Sequence, residues 1–167
     1  YEYTSARAMM REVAATLTAA ARLKRQAGLP NVLFNTLNEP RAMYADTWRA
    51  VQAAWIGVLR DEGETQPIMI DGRNWATRLD VEAALDLAAL DQDVMFSAHH
   101  YQDSGSEGYP PPSPDHYGQG VTVHPGYREA AAAGLCIGIG ELGARTVSDL
   151  VYPGPVEWLN STVANYP

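Results

Sequence analysis

From about Thr4 to Gly28 the apolar positions Val13, Leu17, Ala20 and Ala21 recur at helical spacing, with Lys24 on the same stripe. Gly28-Leu29-Pro30 closes that segment, so the pattern predicts a helix. Asn31 to Leu37 is a short apolar run bounded by turn residues, the pattern of a buried strand. A second helix is predicted from about Asp46, read as its N-cap, to Glu62, with Val51, Ala54, Trp55, Val58 and Leu59 on its apolar face. The cycle then repeats. Pro67 to Asp71 reads as a strand, GRNWATR as a loop and Leu79 to Leu90 as a helix. Asp93 to Ala98 reads as a third strand, Tyr127 to Ala133 as a short helix and Leu135 to Gly140 as a fourth strand. Between the third strand and that helix, YPPPSPDHYGQG holds four prolines, which exclude regular structure. A last helix is expected from about Val156 to Asn165.

Strands that lack polar alternation and are separated by helices belong in a parallel sheet covered on its faces. The expected class is therefore α/β, with four βα units. Composition adds little to this. The 167 residues suffice for one domain, and 46% hydrophobic with 19% charged residues is ordinary for a globular chain. A net charge of −8 without a basic run argues against nucleic acid and anionic membrane surfaces as partners. No stretch is long and apolar enough to read as a membrane span. The lone Cys136 lies in an apolar strand and reads as a small buried hydrophobe.

In parallel α/β architectures, chemistry gathers beyond the C-terminal ends of the strands. Asn38 and Glu39 follow the first strand; Asp71, Asn74 and Trp75 lie at and beyond the end of the second. His99, His100, Tyr101 and Asp103 follow the third, and Glu141 and Arg145 the fourth. Glu39 and Glu141 are 102 residues apart, yet each stands at a strand tip. Two carboxylates converging from different strands suit glycoside hydrolysis.

Taken in order, NVLFNTLNEP, FSAHHYQDSGSEG and CIGIGELGA resemble glycoside hydrolase family 5. The resemblance covers most of the chain, from about Asn31 to Arg145. It implies a (β/α)8 TIM-barrel type fold and a retaining glycosidase, cellulase-like and most simply an endo-acting β-1,4-glucanase. Mannan, xyloglucan or a β-1,3-glucan are alternative substrates for the same mechanism. Asn38-Glu39-Pro40 resembles the end of the family's fourth strand, which makes Glu39 the acid/base and places Asn38 on the sugar 2-hydroxyl. Ile139-Gly140-Glu141 resembles the end of the seventh, which makes Glu141 the nucleophile. His99 and Tyr101 resemble the sixth-strand His-x-Tyr: Tyr101 would orient Glu141 and His99 would support the network. Trp75 falls in a loop like that of the fifth strand, where an aromatic ring stacks on a sugar. The resemblance calls for no cofactor and no metal, and implies an extracellular protein that is monomeric at full length. A barrel of this type needs about 250 residues. The expectation is therefore a partial barrel over residues 1–167, strands four to seven, without strands one to three and eight and with both edges open.

Other readings compete. Asn38-Glu39-Pro40 alone could be a solvated turn. Gly138 to Gly143 is a literal G-x-G-x-x-G with Glu157 beyond it, which would suit a dinucleotide if it opened a helix. His99, His100, His116 and His124 match no zinc spacing. Trp48 and Trp55 lie at helical spacing and read as packing residues. A non-catalytic sugar-binding fragment using Trp75 is the reading from a different class.

Overall fold

The computed structural model describes residues 2–41, 43–101 and 125–143. Four strands form one parallel sheet in the order β1-β2-β3-β4: β1 (Phe34–Asn35), β2 (Ile68–Asp71), β3 (Val94–Tyr101) and β4 (Ile137–Gly143). The helices are α1 (Glu2–Ala27), α2 (Ala45–Asp61), the single turn α3 (Arg73–Ala76), α4 (Val81–Leu90) and α5 (Pro125–Ala132). Helix α1 packs on α2, α2 on α4 and α4 on α5. Sequential strand order with sequentially packed helices is the winding of a β/α barrel wall. A doubly wound sheet would reverse its strand order and divide its helices between two faces. Among the described residues, no helix is long and apolar enough to cross a membrane.

The core lies between sheet and helices. Ile68 and Ile70 of β2 and Phe96 and Ala98 of β3 are fully buried, against Trp48, Trp55 and Leu59 of α2 and Ala84 and Leu87 of α4. Trp48 and Phe96 meet with ring centroids 6.4 Å apart in a tilted arrangement. On α2 the buried stripe is Trp48, Gln52, Trp55, Ile56 and Leu59, whereas Ala54 is exposed. The Gln52 side chain is kept inside by a hydrogen bond from the Thr36 hydroxyl. Helix α1 contributes Leu17 and Ala21, and Lys24, mostly buried, pairs with Glu64 at 2.5 Å.

Several element boundaries differ from the pattern-based expectation. The first strand shrinks to Phe34–Asn35, and Asn31, Val32 and Leu33 are exposed, because β1 pairs only with β2 among the described residues. Strands β3 and β4 run past their apolar runs, so His99 and Glu141 lie inside strands rather than after them. Asp46 sits in the first turn of α2, and the N-cap is Tyr44, whose side chain makes no cap bond. The true side-chain cap is Asp80 on α4, accepting from the Ala83 amide. The Pro-rich loop, with Tyr109, Tyr117, His116 and His124, lies outside the described residues, as do Arg145, Glu157, Trp158 and the expected last helix.

Candidate active site

The sheet register delivers the polar residues to one edge. Asp71, the last residue of β2, pairs across to Ser97, and His99 lies opposite Glu141. The register slips at this point. Ala98 pairs with Ile139 and His99 with Glu141, which leaves Gly140 as the extra residue of a bulge. Bulges re-aim the side chains beyond them. Here the bulge brings Glu141 beside His99.

Gly140 is required by space. A Cβ there would lie 2.1 Å from Ser97 Oγ and 3.1 Å from His99 Nε2. The first carboxylate arrives from the loop after β1. Glu39 adopts φ of 48°, a left-handed conformation that non-glycine residues rarely take. Its backbone N–H donates to Asp71 Oδ2 at 3.0 Å, which pins the turn to the sheet.

His99 is the hub, 1% exposed. Its Nδ1 donates to Glu39 Oε1 at 2.9 Å and lies 3.5 Å from Glu141 Oε2, while Nε2 donates to Asp71 Oδ2 at 3.2 Å. Asp71 is fully buried and also accepts from the Asn35 side-chain amide at 3.0 Å. Trp48 Nε1 donates to the Asp71 carbonyl at 3.0 Å. A carboxylate oxygen of Glu39 and one of Glu141 lie within 4.8 Å of each other and of the His99 ring nitrogen.

The electrostatics follow from this packing. Burial alone would push the His99 imidazole down. The hydrogen bonds to Asp71 and Glu39 and the charges of Asp71 and Glu141 outweigh it and raise the imidazole to about 9. Burial likewise pushes Asp71 up, but the bond from His99 and the amide of Glu39 bring it below its ordinary value. At neutral pH the hub is therefore an imidazolium bonded to a buried carboxylate, with the two glutamates on its other side. Glu39 and Glu141 remain partly exposed, at 27% and 37%, and so open to a ligand.

Asn38 is exposed beside Glu39 and takes no part in this hydrogen-bond chain. The Tyr101 backbone ends β3 opposite Gly143, and its side chain, like that of His100, lies outside the described part. Trp75 is half-buried in α3, where Asn74, Trp75 and Ala76 all have positive φ, and the Arg41 guanidinium lies over its ring at 4.7 Å. Three successive left-handed residues cost roughly 1–2 kcal/mol each. The turn is held by paired backbone bonds between Arg73 and Arg78, and by the buried Tyr127 hydroxyl within 2.8 Å of the Ala76 carbonyl and 2.9 Å of that of Ser97.

Asp71 stands at a strand tip, but nothing in the sequence assigns it a role, and Asn35 is signalled there only as a polar residue inside an apolar strand. Trp48, read as packing alone, packs and also holds the site's backbone. The glycine motif Gly138 to Gly143 lies within β4 and opens no helix there, so the geometry of a dinucleotide loop is not met.

Residues 4–166 match the family model described as Cellulase (glycosyl hydrolase family 5). A solved structure described as an endoglucanase aligns with a TM-score of 0.63 at 18% identity, covering 95% of this chain and 55% of that one. The catalytic domain of an endoglucanase from Thermobifida fusca aligns at 0.62 with 17% identity, covering 93% and 47%. A thermostable, halotolerant cellulase from an Icelandic hot spring isolate aligns at 0.58 with 20% identity, covering 90% and 47%. The chain thus spans about half the length of these structures. No curated protein matches it. The four strands are part of a (β/α)8 barrel.

Proposed function

The chain belongs to the cellulase family, glycosyl hydrolase family 5, and we propose that it carries the catalytic pair of a retaining glycosidase acting on a β-1,4-linked glucan. One observation carries the reading. The nearest carboxylate oxygens of Glu39 and Glu141 come within 4.8 Å of each other. Retaining enzymes hold their two carboxyl groups about 5–5.5 Å apart, and inverting enzymes about 6.5–9.5 Å.

Glu141 attacks the anomeric carbon. Glu39 in its acid form gives its proton to the glycosidic oxygen as the carbon–oxygen bond breaks, leaving a glycosyl ester on Glu141. Glu39, now a carboxylate, takes a proton from water, and the water oxygen displaces Glu141 with overall retention. His99 acts through Glu39. Its bond to Oε1 fixes the carboxyl, and Asp71 on the opposite nitrogen fixes the ring. These two are positioning residues. Asn38 would meet the 2-hydroxyl, Tyr101 would orient Glu141, and Trp75 would offer the ring face not covered by Arg41 to a sugar.

The choice of β-1,4-glucan rests on the similar structures described as endoglucanases and a cellulase. Such a polymer is met outside the cell, so the proposed place of action is extracellular. The test is reducing-end release from β-1,4-glucan, mannan, xyloglucan and β-1,3-glucan, compared for the native chain and for Glu39→Gln and Glu141→Gln. The expected result is preference for β-1,4-glucan and a loss of about a hundredfold or more in either variant. Preference for another glycan overturns the substrate. Full activity in both variants overturns the catalytic pair, and binding of glycan without hydrolysis leaves a sugar-binding fragment.

A further inference from the structure

We propose that Glu39, His99 and Glu141 together form a binding site for a divalent transition-metal ion, with Zn2+ the best fit. The three ligand atoms, one from each residue, lie within 4.8 Å of one another. Four-coordinate zinc with bonds of roughly 2.0–2.2 Å sets its ligand atoms about 3.4 Å apart. The His99 Nδ1 to Glu141 Oε2 distance of 3.5 Å already fits, and the 2.9 Å distance to Glu39 Oε1 needs to open by about half an ångström. The two carboxylate oxygens, which lie within 4.8 Å of each other, must settle at the same spacing, and the residues that adjust are the two partly exposed glutamates, while His99 is held in place by burial.

The surroundings favour an ion at Nδ1 in a second, separate way. Metal-bound histidines almost always donate their other ring N–H to a carboxylate or carbonyl, which sets the tautomer and strengthens the ligand. Asp71 does this at Nε2, and it is fully buried and anchored by Asn35 and by the Glu39 amide. The ion has to displace the Nδ1 proton that the imidazolium shares with Glu39, and that proton leaves for solvent. Two carboxylates balance its charge. An imidazole with two carboxylates suits Zn2+, Co2+ or Ni2+ better than Mg2+ or Ca2+, and the exposed side of the pair leaves a position for water. Sequence spacing could not reveal this set, since the three ligands come from three separate strand ends.

An ion here stands between the carboxylates that hydrolysis uses, so it would compete with substrate. That consequence rests on the glycosidase reading, whereas ion binding does not. The test uses the untagged chain. Co2+ is added and its visible ligand-field bands are followed, Zn2+ is titrated by calorimetry, and both are repeated with Glu39→Gln and Glu141→Gln. We expect bands of four- or five-coordinate cobalt at one equivalent, displaced by Zn2+ and not by Mg2+. Each variant should bind Zn2+ at least about tenfold more weakly while keeping the native circular dichroism. Octahedral cobalt only, no zinc heat, or unchanged affinity in both variants overturns the site. Zinc bound through these residues on a chain that hydrolyses no glycan sinks the glycosidase reading alone. Hydrolysis without zinc binding sinks this one alone.

Discussion

Replacing Gly140 by alanine tests whether the bulge in β4 is the device that assembles the site. The added methyl would stand 2.1 Å from Ser97 Oγ and 3.1 and 3.3 Å from two atoms of the His99 ring. Ordinary contacts of this kind are above about 3.4 Å, so the hydroxyl has to retreat by more than 1 Å or β4 has to leave β3. Ser97 is fully buried and its strand is paired on both sides, to Asp71 and to Gly138, so the backbone has little room to yield. Gly140 is itself exposed, but the methyl would point at the buried Ser97 and His99, and overpacking against buried groups costs about 1–3 kcal/mol. Gly140 has no positive φ among the described glycines, so alanine suffers no backbone strain and recovers about 0.4–1 kcal/mol through the unfolded chain. The net expectation is a loss of about 1–2 kcal/mol, together with reduced turnover because Glu141 is the next residue. Urea unfolding of native, Gly140→Ala, Ser97→Ala and the double variant measures this as a cycle. Removing the Ser97 hydroxyl should return part of the loss, with a coupling of about 1 kcal/mol. The His99 contacts keep the recovery incomplete. Gly140→Ala as stable as the native chain, or no coupling to Ser97, would refute the steric argument.

Two further outcomes follow from the hub. Asp71→Asn should lower kcat by about tenfold to a hundredfold with KM little changed, and His99, followed by NMR, should titrate lower than about 9; a loss confined to KM, or an unmoved titration, would remove Asp71 from its positioning role. Stability should also depend on pH with a definite sign. The raised His99 contributes fully below 6.5 and loses its contribution, on the order of 3 kcal/mol, as pH rises to about 9. The lowered carboxyls of Glu64, Asp71 and Asp91 contribute above their ordinary values and lose it as pH falls through their folded values. Urea midpoints should therefore peak between those limits, and a flat profile from 6.5 to 9 would contradict the charged hub.

What the sequence made legible was set by local pattern. The runs in β2 and β3 are apolar because their side chains are buried, and with the run before Glu141 they announced four βα units and hence where to look for chemistry. In that fourth run the burial expectation fails: Ile137 and Ile139 are half-buried and Cys136, expected inside, is exposed. Glu39 and Glu141 stood out because an acid at the end of such a run has to be explained. Strand ends were less legible, since His99 and Glu141 keep their backbone pairing after the apolar pattern stops. The bulge at Gly140 left no mark, because a glycine in I-G-I-G-E can be paired or unpaired. The left-handed turn through Asn74, Trp75 and Ala76 was hidden too: nothing in Trp or Ala favours positive φ, and the turn exists only because bonds to Arg78 and Tyr127 hold it. The Asp71–His99–Glu39 chain joins residues from three strand ends, and no local period encodes such a meeting.

The most direct test of the account is to trap the covalent intermediate. The chain is treated with an activated 2-deoxy-2-fluoro β-cellobioside, digested and read by mass spectrometry. The account predicts one added glycosyl group per chain, carried by Glu141 and absent in Glu141→Gln. A label on any other residue, or none from a chain that still cleaves β-1,4-glucan, would contradict it.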